Sequence, residues 1–446
     1  MMKTNDDTPL SLAIPIETVF IPVAATFAEQ ATRGLGLDQR AATAMRLATE
    51  EVTAFLCRIG AQRRRVTIEC SAGSYFVEEK ITMPVDRLQL RAFNLAARLD
   101  FENEADLDQM GLLIASRMTD RFWMRRSENG HLVLSLVKEF SYPEIDIDTD
   151  TDIKVPGGID RWTVSTPDSA RIKWFARLVN RCYPPDLFPA EFRFPGKLAD
   201  MANGGDCQVL TALGPAGELA GGMAWRWIGS RTVELFGPYC FAAGGTPELA
   251  KDLLETCINS VARTPALAMI CRRPTAELPD GYLEPLTDPM PSRDDTDRAA
   301  PPGTEPARFR LLYEETGAVV WAHPAVRDFL TETYRRLYIP RDIQTADPDD
   351  GESRDPFSVL SCTIDRCLSS GVLRPIWPGE DSGTNLAAHL ELLRDEQIRT
   401  ISLEMDLGHA WQAIFVPGLL ELGFTPTMVL PHAGHGDLLI FELEAS

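Results

Sequence analysis

Positive charge is what this 446-residue chain is short of: 44 lysines and arginines stand against 65 aspartates and glutamates, a formal net charge of −21. Binding a nucleic-acid backbone needs a basic stripe to neutralise phosphates. The only dense basic run, Arg63-Arg64-Arg65, reads as solvated strand flank, so no nucleic-acid partner is expected. No stretch approaches the roughly 20 apolar residues that cross a bilayer, and the opening MMKTNDDTPL lacks the apolar core of a signal peptide. The expectation is a cytoplasmic protein without a membrane partner. Paired cysteine motifs are missing as well. The nine cysteines are odd in number and scattered, with Cys70, Cys240 and Cys271 inside apolar runs, and they read as buried free thiols.

What is present is ordinary globular material, 44% hydrophobic and 24% charged, in a length that suits about three domains. Three Pro/Gly/Asp-rich stretches without hydrophobic period, Pro143–Gly158, Glu284–Ala307 and Thr345–Pro356, read as linkers or long surface loops. They divide the chain into 1–142, 159–322 and 323–446. In the first block Ala41, Met45, Ala48, Val52, Phe55 and Ile59 recur at spacings of three and four, which predicts a helix over Asp38–Ile59 with one apolar face for a sheet. Strands are expected at Val66–Cys70 and Tyr75–Met83, a helix at Leu107–Met118, and a hairpin from Phe122–Arg126 to His131–Glu139. The middle block reads as strand, capped helix from Asp168, three strands, helix Pro247–Ala262 and strand Ala266–Cys271. The last block repeats that order, with helices at Ala325–Leu337, Asn385–Glu396 and Ala410–Leu422. The fold class is α/β: an α+β sandwich followed by two mixed-sheet α/β domains.

Leu47–Gly60 (LATEEVTAFLCRIG) and Met110–Phe140 together resemble the anti-sigma-factor serine-kinase branch of the GHKL superfamily, the gyrase and histidine-kinase type of ATP-binding fold. In that family a helix carries a Glu that orients or deprotonates the attacking group and, one turn on, an Asn that coordinates Mg²⁺. The resemblance puts the Glu at Glu51 and the Asn at Phe55. A phenyl ring offers a hard cation no oxygen. The stretch after Met83 has none of the family's adenine-site glycines, and the phosphate lid has shrunk to Gln109-Met110-Gly111, leaving Gly111 as its one glycine. Mg-ATP is therefore disfavoured, and Glu51 reads either as a surviving base or as a solvated helix carboxylate. Kinases of this branch grip partner proteins with the same fold, so the resemblance implies a partner protein.

The remaining two-thirds is similar in element order to the GNAT acyltransferases, with Leu422-Gly423-Phe424 as a recognisable corner. In that family the sheet parts between two central strands to admit the pantetheine arm of acyl-CoA, and the pyrophosphate rests on the next helix N-terminus. The resemblance makes acyl-CoA the cofactor to test. The matching turn in the middle block holds Gly244, Gly245 and Thr246 ahead of Pro247. The turn of the last block carries Glu380 and Asp381, which would repel a pyrophosphate. Glu234 as base and Tyr239 as acid are the candidate catalytic pair. Both read equally well as a solvent-facing strand carboxylate and a half-buried strand tyrosine. Trp225 and Trp227 share a strand face and read as core or interface. His432 and His435 beside Asp437 read as a polar turn rather than a metal site, and no metal is expected. Three functions follow: a noncatalytic regulatory or adaptor protein that binds a partner protein or small ligand, an acyl-CoA-dependent N-acyltransferase, and an anti-sigma-type serine kinase.

Overall fold

The computed structural model describes residues 9–58, 65–84, 94, 110–127, 131–145, 155–241, 247–287, 306–346, 354–365 and 369–443. It is a mixed α/β protein with three principal sheets.

The first sheet is antiparallel, in the order β1 (Leu10–Pro15), β2 (Arg65–Ala72), β3 (Phe76–Met83), β5 (Leu132–Glu139), β4 (Arg121–Arg126). Among the described residues three helices cover one face: α1 (Ile21–Gly34), α2 (Gln39–Arg58) and α3 (Met110–Met118). The three- and four-residue spacing that predicted α2 places Met45, Ala48, Val52, Phe55 and Leu56 in one apolar cluster with Val66, Ile68, Val77 and Ile81. Alternation along β3 buries every second residue, and Glu79 falls on that buried face, wholly enclosed.

The second sheet runs β11 (Glu284–Pro285), β12 (Arg308–Leu311), β10 (Ala268–Cys271), β9 (Thr232–Cys240), β8 (Leu219–Trp227), β7 (Gln208–Leu213), β6 (Thr163–Ser165). On one face pack α4 (Ser169–Cys182), begun by Asp168 accepting from the Arg171 N–H, and α5 (Pro195–Gly204). On the other lies α6 (Pro247–Val261). With helices on both sides, β9 is buried along nearly its whole length.

Ala318–Ala322 (β13) pairs in parallel with Arg341–Thr345 (β14) across the helix Arg327–Arg336 (α7). The third sheet has the order β15 (Val359–Asp365), β16 (Ser370–Trp377), β17 (Thr400–Asp406), β19 (Leu438–Leu443), β18 (Phe424–Leu430). Ser382–Asp395 (α8) links β16 to β17. The helix expected over Ala410–Leu422 is divided: a 3₁₀ segment Ala410–Phe415 precedes Val416–Glu421 (α9). Pro417 supplies no N–H, so a continuous ladder fails there. The second and third sheets share one core, in which Ile270 and Phe309 join Leu330, Leu386 and Leu403. The third sheet also reaches the first, since Val359 and Trp377 lie in the cluster of α2 and β5. Among the described residues no helix is long and apolar enough to cross a membrane.

Candidate functional site

In the second sheet, β9 and β10 are parallel neighbours that pair only from Thr232↔Ala268 to Glu234↔Ile270. Beyond Glu234, β9 continues on β8 alone. Two residues explain the divergence. Gly237 sits at φ 92, a conformation costly for a side-chain-bearing residue, and Pro238 has no N–H to offer a neighbouring strand. A parting of this kind leaves a row of backbone donors and acceptors along the outer edge of β9.

That edge is satisfied from within the chain. The Tyr183 hydroxyl oxygen accepts the Cys240 N–H at 2.7 Å, donates to Glu277 Oε1 at 2.9 Å and lies 3.2 Å from the Cys240 carbonyl. Thr275 Oγ1 donates to the Pro238 carbonyl at 2.8 Å. Tyr183 reaches this position because it ends α4, its own N–H bonded to the Val179 carbonyl, and Pro184-Pro185 forbids another helical turn. Sequence reasoning passed over Tyr183. Its only signal is an aromatic ahead of a double proline at a helix end.

Glu234 and Tyr239 are both buried, not solvent-facing and half-buried as a plain strand reading expects. Glu234 faces Arg226, its cross-strand neighbour on β8, with Nη2–Oε2 3.1 Å, and Arg272, just past β10, with Nε–Oε1 2.6 Å. Arg226 also reaches Glu191 at 3.4 Å. Burial alone would push the Glu234 carboxyl up, but the Arg272 and Arg226 guanidiniums outweigh it and hold the group down at about 2. A carboxylate that holds its charge so firmly is a weak proton acceptor near neutrality. Tyr239 donates to the Leu187 carbonyl at 2.9 Å inside a cluster with Phe175, Tyr183 and Phe192, and burial raises its hydroxyl well above the usual tyrosine range. No hydrogen bond or ion pair joins the two residues. Gly244, Gly245 and Thr246 lie outside the described residues.

The third sheet has a second parting. Strands β16 and β17 pair from Ser370↔Thr400 to Leu373↔Leu403, after which Arg374 turns to Glu404 at 2.7 Å. The turn leading into α8 is overlain by Asp355–Ser358. Glu380 N–H donates to the Asp355 carbonyl at 3.0 Å, and Asp381 Oδ1 accepts from the Ser358 N–H and hydroxyl at 2.5 and 2.8 Å. Asn94, from the N-terminal block, closes the same place. It donates to the Ser358 carbonyl at 2.8 Å and accepts from Leu360 N–H at 2.9 Å and Asn385 Nδ2 at 3.0 Å. Asn385, in the first turn of α8, is thereby buried, while Thr384 beside it stays exposed.

In the N-terminal block the structure brings Glu51, Phe55 and Gly111 together. A side chain at Gly111 would meet the Glu51 carbonyl at 3.1 Å and Phe55 Cβ at 3.4 Å, so α3 rests directly on α2. Phe55 is fully enclosed, whereas Glu51 is partly exposed. Gln109 lies outside the described residues. Trp225 is core and Trp227 is 36% exposed. Cys70 and Cys271 are buried and Cys240 partly so, and every described cysteine is free.

The His432–Asp437 turn is more ordered than a polar turn requires. Asp437 accepts from His432 N–H at 2.9 Å, from the Tyr334 hydroxyl at 2.8 Å and from Arg341 Nε at 2.8 Å. Arg341, whose side chain is wholly buried, also pairs with Glu315, whose other oxygen is 2.5 Å from His432 Nε2. Asp406 accepts from the N–H groups of Gly408, His435 and Gly436. Among the described residues no group of three or more His, Cys, Asp and Glu is placed to hold a metal ion.

No protein-family model and no curated protein matches the sequence. Solved structures are similar to parts of it. A GNAT family N-acetyltransferase from Escherichia coli, solved in complex with CoA, shares 18% identity over 34% of this chain and 82% of its own, with a TM-score of 0.23. An acetyltransferase from Streptococcus agalactiae shares 16% over 34% of this chain and 99% of its own, TM-score 0.24. The SiaB–SiaC complex from Pseudomonas aeruginosa shares 15% over 29% of this chain and 88% of the matched chain, TM-score 0.22. These are partial likenesses of fold.

Proposed function

We propose that this chain is a cytoplasmic regulatory protein that binds a partner protein or small ligand without chemistry of its own. It would consist of a GHKL-like block at 1–142 and GNAT-like blocks at 159–322 and 323–446. The observation that carries this reading is the filled edge of β9. The Tyr183 hydroxyl and Thr275 already occupy the Cys240 and Pro238 backbone groups where a pantetheine arm would bond. Three further features support it: Glu234 held ionised by two arginines, Asn385 at the α8 start buried against Asn94 and Ser358, and α3 resting on Glu51 and Phe55. Each lies where one of the candidate chemistries would act.

Isothermal titration of the full chain with acetyl-CoA and longer acyl-CoAs tests the reading. No heat of binding is expected. Binding that is lost in Gly245→Glu would instead establish the acyltransferase, with Glu234 and Tyr239 as its candidate residues. Titration with ATP, with and without Mg²⁺, is likewise expected to be silent. Tight Mg²⁺-dependent binding would establish the kinase reading and return Glu51 to a catalytic role.

A further inference from the structure

A cavity of about 720 Å³ lies where the three blocks meet. Its volume is that of a small-molecule site, and interfaces between domains are where such sites concentrate. Its wall takes Arg121 and Glu139 from the ends of β4 and β5, Phe194 and Lys197 from the start of α5, and Ile364 and Leu392 from β15 and α8.

The wall carries Arg117, Arg121 and Lys197 against Asp120, Glu139, Glu191 and Glu396, and the pairing among them is uneven. Glu139 meets Lys197 Nζ at 2.7 Å and Arg121 Nε at 3.3 Å, so two cations share one carboxylate. The longer contact lacks hydrogen-bond alignment: among the described residues Arg121 Nε and Nη2 are shut off from water and meet no acceptor. Other acids nearby are already committed, Asp120 to Lys138 and the Glu139 N–H, Glu191 to Arg226, and Glu396 to Arg117. The two cations are also held in place. The guanidinium of Arg121 lies 5.4 Å from the Tyr75 ring and 5.0 Å from that of Phe76, and Lys197 Nζ lies 5.4 Å from the Tyr75 ring. A fixed positive charge that is under-compensated, and whose donors are partly shut off from water, attracts an anion more strongly than a freely solvated one does.

We propose that this cavity binds a small organic anion, a single carboxylate or phosphate carried on an apolar body. The anionic group meets Arg121 and Lys197, and the apolar body packs on Phe194, Ile364 and Leu392. Because the wall is drawn from all three blocks, the bound molecule fastens them together, which makes the cavity the ligand-sensing site of a regulatory protein. The proposal shares with the reading above only the assignment of a binding role. Acyl-CoA titration reports on β9 and α6, and the experiment below reports on β4 and α5, so either fails without the other.

The test is titration calorimetry of the full chain with phenyl phosphate, benzoate, inorganic phosphate and benzyl alcohol. Phenyl phosphate or benzoate is expected to bind at least tenfold more tightly than inorganic phosphate and benzyl alcohol. That binding is expected to weaken at least tenfold in Lys197→Met and in Arg121→Gln, each checked for native circular dichroism. Should Arg121→Gln fail to fold, Lys197→Met decides. Preference for phenyl phosphate assigns the site to phosphates, and preference for benzoate to carboxylates. Absence of binding by both, equal binding of inorganic phosphate or the alcohol, or affinity unchanged in Lys197→Met overturns the proposal.

Discussion

The Thr49 hydroxyl on α2 lies 2.8 Å from Oε1 of Glu79 on β3, and this contact, with Cys70 Sγ at 3.9 Å, is nearly all the polar company that a wholly buried carboxyl has. Burial raises the Glu79 carboxyl from 4.5 to about 8, against the smaller opposing effect of its bonds to Thr49 and Cys70. The folded state thus takes up a proton that the unfolded chain has released at neutral pH. The stabilisation is complete below pH ~4.5 and is lost as pH rises towards 8, by a few kcal/mol at roughly 1.4 kcal/mol per unit. Urea denaturation between pH 5 and 8.5 should show this decline in the native protein and a flatter profile in Glu79→Gln.

Glu234 acts in the opposite direction and in another window. Its carboxyl, lowered from 4.5 to about 2 despite burial by Arg272 and Arg226, contributes stability that is present above ~4.5 and lost as pH falls through 2. Glu234→Gln leaves two arginines without their shared partner. At neutral pH it should cost ~3–5 kcal/mol, the range for breaking a buried ion pair, and it should flatten the acid limb of the denaturation profile.

Phe55 and Gly111 form one contact between α2 and α3. Phe55→Asn opens a cavity and buries an amide, with an expected loss of ~3–5 kcal/mol. A valine at Gly111 would strike the Glu51 carbonyl and push α3 away. Chemical denaturation checks the first, and increased hydrogen exchange confined to α3 and the facing turn of α2 checks the second.

Tyr183→Phe removes a single oxygen. The Cys240 N–H and Glu277 each lose a partner, at an expected cost of ~1–3 kcal/mol. The variant should still bind no thioester, because the ring itself stays beside β9, edge-on to Tyr239 at 4.9 Å.

Asp437→Asn tests the network beneath the His432–Asp437 turn. The Arg341 side chain has no exposed surface and depends on Asp437 and Glu315, so a loss of ~3–5 kcal/mol is expected in equilibrium unfolding.

Sequence pattern exposed the elements whose burial is one-sided and local. The three- and four-residue spacing of α2 gave its start to within a residue, because a single stripe carries its packing, and the expected end at Ile59 lies outside the described residues. The short helix Pro195–Gly204 was missed: it buries only Leu198, Ala199 and Met201 and begins on a proline. Strands β13 and β14 gave no signal because their pairing spans a helix and leaves Val319 half exposed. Glu234 illustrates why the site itself was hard to read. A strand covered on both faces has no alternation to say which residues meet solvent, and the arginine that decides its charge state stands 38 residues away.

Asn94 bonds to residues 264, 266 and 291 positions further along the chain. A ribosome releases the N-terminal block long before those partners exist. The helices and sheet around Phe55 can condense early, but the surface that ends up against Val359 and Trp377 must wait, apolar and uncovered, until almost the whole chain has been made. Cells that synthesise this protein therefore face a long interval in which its first block invites a chaperone, and a chain cut short before β15 would keep that surface exposed permanently.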